Sequence, residues 1–162
     1  MLFSSITFIY YFLPLLVIIY FIMPKKIRNL ILLIFSLLFY FLGEPKYIII
    51  LILSCIINYY LSKFLNNKYK KIFLIITLLY NIGQLLYFKY TDFFITNLNN
   101  IVGTDISLLH VIMPIGISFF TFQNIGYIVD VYNKKHEPCN SLINYMTYIC
   151  FFPQLIAGPI VR

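Results

Sequence analysis

Long apolar stretches, separated by short polar links, occupy almost the whole chain. They cover residues 2–23, 29–42, 46–65, 72–88, 106–132 and 142–158. A hydrocarbon core about 30 Å thick is crossed by about 20 helical residues, whereas a membrane strand alternates apolar and polar positions over about ten. None of these stretches alternates in that way. The pattern therefore predicts an all-α, polytopic transmembrane helical bundle of about five to six membrane helices, forming one domain over residues 1–162.

The first apolar stretch, residues 2–23, has the length of a membrane helix. No basic residue precedes it and no small-residue cleavage site follows it, so it does not have the pattern of a cleaved signal peptide. We expect a retained helix, kinked at Pro14 because a proline ring removes one backbone donor. Pro24 and the two lysines after it end this helix.

The next two stretches predict a helical hairpin. Residues 29–42 and 46–65 are apolar, and the Gly-Glu-Pro sequence at residues 43–45 is a turn signal. One long helix broken at Pro45 is the alternative. Asn58 lies in the second apolar stretch, and we expect its amide to bond to a neighbouring helix, since lipid offers no partner.

The middle of the chain predicts one crossing and one surface segment. Residues 72–88 should cross the membrane, with Asn81, Gly83 and Gln84 marking a helix-packing face. Residues 93–101 have apolar side chains on one side and amides elsewhere, which predicts a short, separate interfacial helix. Residues 106–132 should then return through the membrane as one helix bent near a proline.

Composition and charge support a membrane protein. The chain is 62% hydrophobic and 10% charged, with a net charge of +7, whereas soluble domains are about 45–50% apolar and about 25% charged. The excess positive charge lies in two short loops, residues 24–29 and 63–71, and the remaining charges cancel. Basic loops beside membrane helices mark the cytoplasmic side. We therefore expect no nucleic-acid partner, a multi-pass cell-membrane protein surrounded by lipid, and an N-terminus outside.

A polar stripe follows one face of the stretch 106–132. Gln123, Tyr127 and Asp130 are spaced i, i+4 and i+7 and therefore share a helix face. Such a stripe must face the bundle interior or a watery cavity, since an ionisable group in lipid costs about 2.5–3.5 kcal/mol. Two alternatives stay open. Gln123 could make only an interhelical hydrogen bond, and Asp130 could be a solvated carboxylate or the partner of the lysine at 134 or 135.

The last apolar stretch is interrupted. Pro153 removes a backbone donor, and a Gly-Pro pair at residues 158–159 does so again. Backbone groups freed in this way must be buried in protein or line a cavity. We expect a broken or re-entrant helix containing Gln154, and a simple kink is the alternative.

The remaining reactive residue types predict no catalytic centre. His110 should be interfacial and His136 solvated, and neither has the spacing of a catalytic triad or a metal site. Cys55, Cys139 and Cys150 are scattered, so we expect no disulfide. The residues alone therefore predict a multi-spanning protein with an internal polar site, no catalytic residue, no metal and no bound cofactor.

Two sequence runs resemble a known family. The runs MPIGISFFTFQNIGYIVDVY (residues 113–132) and YICFFPQLIAGPIVR (residues 148–162) resemble the signature of membrane-bound O-acyltransferases, and the similarity extends to the N-terminal and middle stretches. The closest resemblance is to the alginate O-acetyltransferase type. It identifies the chain as the N-terminal part of a larger enzyme domain, and the arrival of Arg162 directly after a Gly-Pro break fits a truncation.

The resemblance implies transfer of acetyl or acyl groups from a cytoplasmic donor to hydroxyls of a cell-surface polysaccharide. The donor would be a co-substrate, acetyl-coenzyme A or an acyl-carrier thioester, and a secreted partner acetyltransferase could complete the transfer to the polysaccharide acceptor. In relatives a histidine acting as general base lies downstream of this stretch, so we expect the chain to be inactive alone. The implied substrate-tunnel candidates are Gln123, Gln154, Arg162 and Asp130. For Arg162, a cytoplasmic or interfacial anchor is the alternative.

Two other classes of function stay open at this point. Broken helices and polar groups at the membrane midplane also occur in transporters, although we find no inverted repeat. A non-catalytic membrane scaffold that recruits secreted enzymes is the third reading.

Overall fold

A computed structural model describes residues 5–157, and helices make up most of that part of the chain, with no strand in it. The chain begins with a π-helical turn at Phe8–Phe12. The α-helices that follow are α1 Leu13–Ile22, α2 Arg28–Gly43, α3 Ile48–Lys63, α4 Lys70–Val102, α5 Ile117–Tyr132, α6 Leu142–Cys150 and α7 Phe152–Ala157. The predicted all-α bundle is therefore confirmed.

Three helical segments of the described part are long and apolar enough to cross a membrane. They are Lys25–Gly43, Ile48–Asn66 and Lys70–Val102. Many of their large apolar side chains point outward, for example Ile49 and Leu79, which are 62% and 66% exposed. Exposed apolar surface of this extent is stable in lipid and unstable in water. The three segments agree with the membrane class predicted from composition.

Helices α2 and α3 form the predicted hairpin, with α6 between its open ends. The turn at residues 44–47 breaks the helix. Asn29, at the start of α2, donates to Asn144 of α6 at 2.9 Å, and the Tyr59 hydroxyl, late in α3, donates to the Asn140 carbonyl at 2.8 Å. The start of α2 and the end of α3 therefore lie at the same end of the bundle as the start of α6. The single long helix is excluded.

The prediction of a separate interfacial helix at residues 93–101 is wrong, because α4 continues without interruption to Val102. No proline or glycine lies between Gly83 and Gly103. The polar side chains of Thr96 and Asn97 bond back to carbonyls of their own helix, each at 2.8 Å. These polar residues are therefore compatible with a continuous helix, although in the sequence they suggested a separate surface helix. At 33 residues α4 is about 50 Å long and exceeds the hydrocarbon thickness.

The predicted helix at residues 106–132 is also shorter than expected. Residues 103–114 are not helical, and α5 begins only at Ile117. Side chains of α4 hold this irregular segment: Asp92 accepts from the Leu109 amide at 3.0 Å, and Asn99 donates to the Ile106 carbonyl at 2.8 Å. Backbone groups that a helix would have satisfied are satisfied here by α4.

One end of the bundle carries the excess positive charge. Lys70, at the start of α4, lies 4.8 Å from the ring of Tyr132, at the end of α5. The start of α4 and the end of α5 therefore lie at the same end of the bundle as the open ends of the α2–α3 hairpin. Nine basic residues lie there, against two acidic ones, Asp130 and Glu137. The basic residues of this end are Lys25, Lys26, Arg28, Lys63, Lys68, Lys70, Lys71, Lys134 and Lys135. We call it the basic end.

An aromatic cluster fixes the N-terminal segment to the last helix. The ring of Phe152, the first residue of α7, lies 5.2 Å from Phe39 of α2 and 5.8 Å from both Phe8 and Phe12. Two of these contacts are edge-to-face and the one with Phe39 is tilted, and aromatic pairs of this kind stabilise beyond simple burial. The irregular turn at Phe8–Phe12 directly precedes Pro14, which lacks a helical donor, so the distortion lies where the sequence predicted a kink.

Candidate functional site

The last apolar stretch is broken into two short helices, as predicted. The side chain of Ser141 accepts from the Asn144 amide and caps the start of α6. At Phe151 the backbone leaves the helical region, with φ −56° and ψ 110°. Pro153 is the second residue of α7, a position that needs no intrahelical donor. The break therefore precedes the proline, which starts a new helix.

The segment after the break is packed closely against two other helices. The amide of Phe152 donates to the Ser36 hydroxyl of α2 at 3.4 Å. On the other side, Gly116 has φ +76°, and a Cβ atom there would lie 2.8 Å from the Leu155 carbonyl oxygen. Only glycine fits both this conformation and this approach. The beginning of α5 and the middle of α7 are thus in backbone contact.

A cavity of about 720 Å³ opens between α5 and α6 near the basic end. Its walls combine amide, phenol and charged groups with the apolar side chains of Phe122, Ile125 and Val129. The polar and charged lining residues are Gln123, Tyr127, Asp130, Asn133, Lys135, His136, Cys139, Asn144, Tyr145 and Tyr148. The shared face predicted for Gln123, Tyr127 and Asp130 is confirmed, since all three line this one cavity.

Gln123 and Asp130 differ in how their polar atoms are satisfied. Gln123 is only 2% exposed, and no donor within residues 5–157 reaches its Oε1 atom. A buried acceptor without a partner is costly, so this oxygen is available to a bound group or water. Asp130 pairs with Lys135 at 3.0 Å. The alternative in which Asp130 is the partner of a neighbouring lysine is therefore confirmed.

Two tyrosines form a fixed wall of the cavity. The Tyr145 hydroxyl donates to Oδ1 of Asn124 on α5, and the Tyr127 hydroxyl accepts from the Cys139 amide at 2.7 Å. Their rings lie 4.9 Å apart. These bonds join α5 both to α6 and to the segment before it, so the wall is held from two sides.

Behind this wall, buried amides join α3, α4 and α5. Asn81 of α4 donates to Oδ1 of Asn58 on α3 at 2.6 Å, and Asn58 donates back at 3.3 Å. Ser54 donates to Gln84 of α4 at 3.2 Å and accepts from Asn124 of α5 at 3.5 Å. The sequence indicated that Asn58 would bond to another helix, and this is confirmed. The bond between Asn124 and Tyr145 was not predictable, because the two residues lie 21 positions apart on different helices.

The other candidate residues are not brought into the cavity lining by the described structure. Gln154 lies in α7, and its Nε2 atom is buried without an acceptor among the described residues. Arg162 lies outside the described residues. The two histidines are exposed at opposite ends: His136 at the mouth of the cavity, and His110 in a polar cleft beside Asn99. No cluster of three metal-ligating residues occurs within residues 5–157.

Comparison with known proteins gives strong similarity over the whole chain. The chain is 36% identical over 195 residues to the peptidoglycan O-acetyltransferase of Helicobacter pylori, covering 100% of this chain and 37% of that protein. It is 33% identical over 171 residues to the probable alginate O-acetylase AlgI of Pseudomonas aeruginosa, again covering 100% of this chain and 33% of the relative.

The chain thus spans about a third of the length of the curated relatives it matches. No family model matches the chain. No solved structure matches it either.

Proposed function

We propose that the chain is part of a membrane-bound O-acyltransferase and takes part in O-acetylation of a cell-surface polysaccharide, because it is similar to O-acetyltransferases along its whole length. The acyl group would come from a cytoplasmic thioester donor, acetyl-coenzyme A or an acyl-carrier protein. The acceptor would be a hydroxyl of peptidoglycan or of an alginate-like polymer, the substrates that the names of the relatives state. A secreted partner acetyltransferase would complete the transfer. The basic end would face the cytoplasm, in keeping with the charge of its loops.

The similarity to O-acetyltransferases along the full chain is the observation that carries this proposal. The cavity between α5 and α6 supports it, because it combines an apolar wall with a buried amide oxygen that lacks a protein donor. A ligand or water that donates to Gln123 Oε1 would supply the missing hydrogen bond. Asp130 would orient Lys135 at the cavity mouth, 3.0 Å away. Gln154 and Arg162 would extend the same tunnel wall towards later parts of the enzyme.

In this proposal the residues described here bind and orient substrates, and a general base from elsewhere in the enzyme removes the proton of the acceptor hydroxyl. Neither histidine of the chain is suited to that task, since His110 and His136 are both exposed and lie at opposite ends. Residues 1–162, produced alone, should therefore transfer no acetyl group. Transfer by the isolated chain would show that this division of roles is wrong.

The proposal is tested by substituting Gln123 in the native gene. Gln123→Leu keeps the size of the side chain and removes the acceptor, and polysaccharide-bound acetate should fall about tenfold or more, the equivalent of one lost hydrogen bond to a buried group. Asn67→Leu is the matched control, because it removes an amide from an exposed loop. Acetate is measured after mild alkaline release from isolated polymer, with protein abundance followed by immunoblot. Normal acetate at normal abundance would overturn the role of Gln123.

The acceptor is measured in the same strains. Loss of acetate from peptidoglycan and loss of acetate from secreted polysaccharide distinguish the two acceptor classes. Deletion of the gene with no change in either polymer would overturn the proposed function as a whole.

A further inference from the structure

Two thiols meet in the interior of the bundle. The sulfur atoms of Cys55, in α3, and Cys150, the last residue of α6, lie 3.6 Å apart. Both side chains are completely buried. A disulfide bond is about 2.05 Å long, so the two atoms need to approach by only about 1.5 Å. The sequence placed these cysteines 95 positions apart, and only the fold brings them into contact.

The two cysteines lie directly beside the break between α6 and α7. Cys150 directly precedes the break at Phe151, where the backbone turns from α6 into α7. Beyond the break, α7 packs against α2 and α5, and the Phe152 amide donates to the Ser36 hydroxyl at 3.4 Å. A covalent bond between Cys55 and Cys150 would tie the end of α6 to α3. The orientation of α7 relative to α6 would then be restricted at its pivot.

We propose that Cys55 and Cys150 form a redox-sensitive latch on the break between α6 and α7. In the reduced state, the sulfurs are in contact and the break can shift. In the oxidised state, each thiol has lost its hydrogen, a sulfur–sulfur bond has formed, and two protons and two electrons have passed to the oxidant. The oxidant must be a small, membrane-permeant peroxide, and hydrogen peroxide would take up the two protons and two electrons to become two water molecules. Full burial excludes glutathione and protein disulfides, which react by direct attack of a thiolate on sulfur.

The first experiment oxidises the native protein in its own membrane with copper–phenanthroline and dissolved oxygen, in which oxygen accepts the two electrons and becomes hydrogen peroxide. Free thiols are then alkylated, and the linked peptides are identified by mass spectrometry. The Cys139→Ala variant is the matched control, since Cys139 is only half-buried and bonds to the Ser141 carbonyl. We expect the bond between residues 55 and 150 in the native protein and in this control, and in neither Cys55→Ala nor Cys150→Ala.

Absence of that bond in a folded, monodisperse native protein would overturn the proposal, and so would preferential pairing with Cys139.

The second experiment measures amide hydrogen exchange over residues 151–157 in the oxidised protein and after reduction with dithiothreitol. We expect exchange about tenfold slower when oxidised, because opening of this segment is then opposed by the covalent bond. Equal exchange in both states would refute the latch. Neither readout depends on acyl transfer, so failure here is distinct from failure of the proposed function.

Discussion

The reciprocal amide pair between Asn58 and Asn81 provides the sharpest test of how the bundle is held together. Both side chains are completely buried. Their bonds, at 2.6 and 3.3 Å, join α3 to α4. Asn81→Leu keeps a similar volume and deletes both bonds. Asn58 still donates to the Ser54 carbonyl at 2.8 Å, but its Oδ1 loses its donor.

The size of the effect follows from that lost donor. A buried polar atom without a partner costs about 1–3 kcal/mol, and measured interhelical hydrogen bonds in a membrane protein average about 0.6 and reach about 1.7 kcal/mol. We therefore expect Asn81→Leu to lower the free energy of unfolding by about 1–2 kcal/mol. The double variant with Asn58→Leu leaves no orphan, so it should cost little more than either single change. The expected coupling energy is about 0.6–1.7 kcal/mol.

Unfolding by sodium dodecyl sulfate in mixed micelles, followed by far-ultraviolet circular dichroism, measures these differences; the chain has no tryptophan to report by fluorescence. Asn97→Leu is the matched control on the same helix. Asn97 bonds to the carbonyl four residues earlier at 2.8 Å, as Asn81 also does, but within residues 5–157 no hydrogen bond joins its side chain to another helix. The control should change stability by less than about 0.5 kcal/mol. Strictly additive effects of the two leucines would refute the reasoning, because they would mean that the two amides do not interact.

Two further changes test backbone contact and the cavity wall. Gly116→Ala should lower the unfolding midpoint strongly, because the backbone there is left-handed and the new Cβ atom would lie 2.8 Å from the Leu155 carbonyl oxygen. Gly83→Ala should instead raise the free energy of unfolding by about 0.5–1 kcal/mol, because no atom lies within 4 Å of its new Cβ atom. Equal effects in a thermal aggregation assay would contradict the close approach of α5 to α7. Tyr145→Phe removes the donor to buried Asn124 and should cost about 1–3 kcal/mol in the same micelle titration; a neutral result would contradict the bond.

Hydropathy was a reliable guide to where helices lie and a poor guide to where they end. The hairpin turn was predictable because Gly43, Glu44 and Pro45 interrupt an otherwise uniform apolar run. The continuation of α4 to Val102 was not, because side-chain amides that bond within their own helix look, in sequence, like a polar surface segment. Whether the helix continues depends on where each polar side chain finds its hydrogen-bond partner, and the local sequence does not contain that information.

The candidate site also has one part that the sequence predicts and one part that depends on the fold. The helical spacing of Gln123, Tyr127 and Asp130 was sufficient to place them on one face, since periodicity is a local property. The opposite wall of the cavity depends on contacts between α5 and α6, which only the fold specifies. The partner of Asn124, the Tyr145 hydroxyl, lies 21 positions away. Spacing of that kind has no periodic signature.

The nine lysine and arginine residues of the basic end also determine how durable the orientation of this protein is. Carrying that end through hydrocarbon would cost about 2.5–3.5 kcal/mol for each charge, or about 23–32 kcal/mol in all. A barrier in the middle of that range corresponds to about one crossing in several months. The orientation acquired when the chain is first inserted is therefore permanent on the timescale of a cell generation. An early error of insertion would have to be removed by degradation, since it cannot be corrected by turning the molecule over.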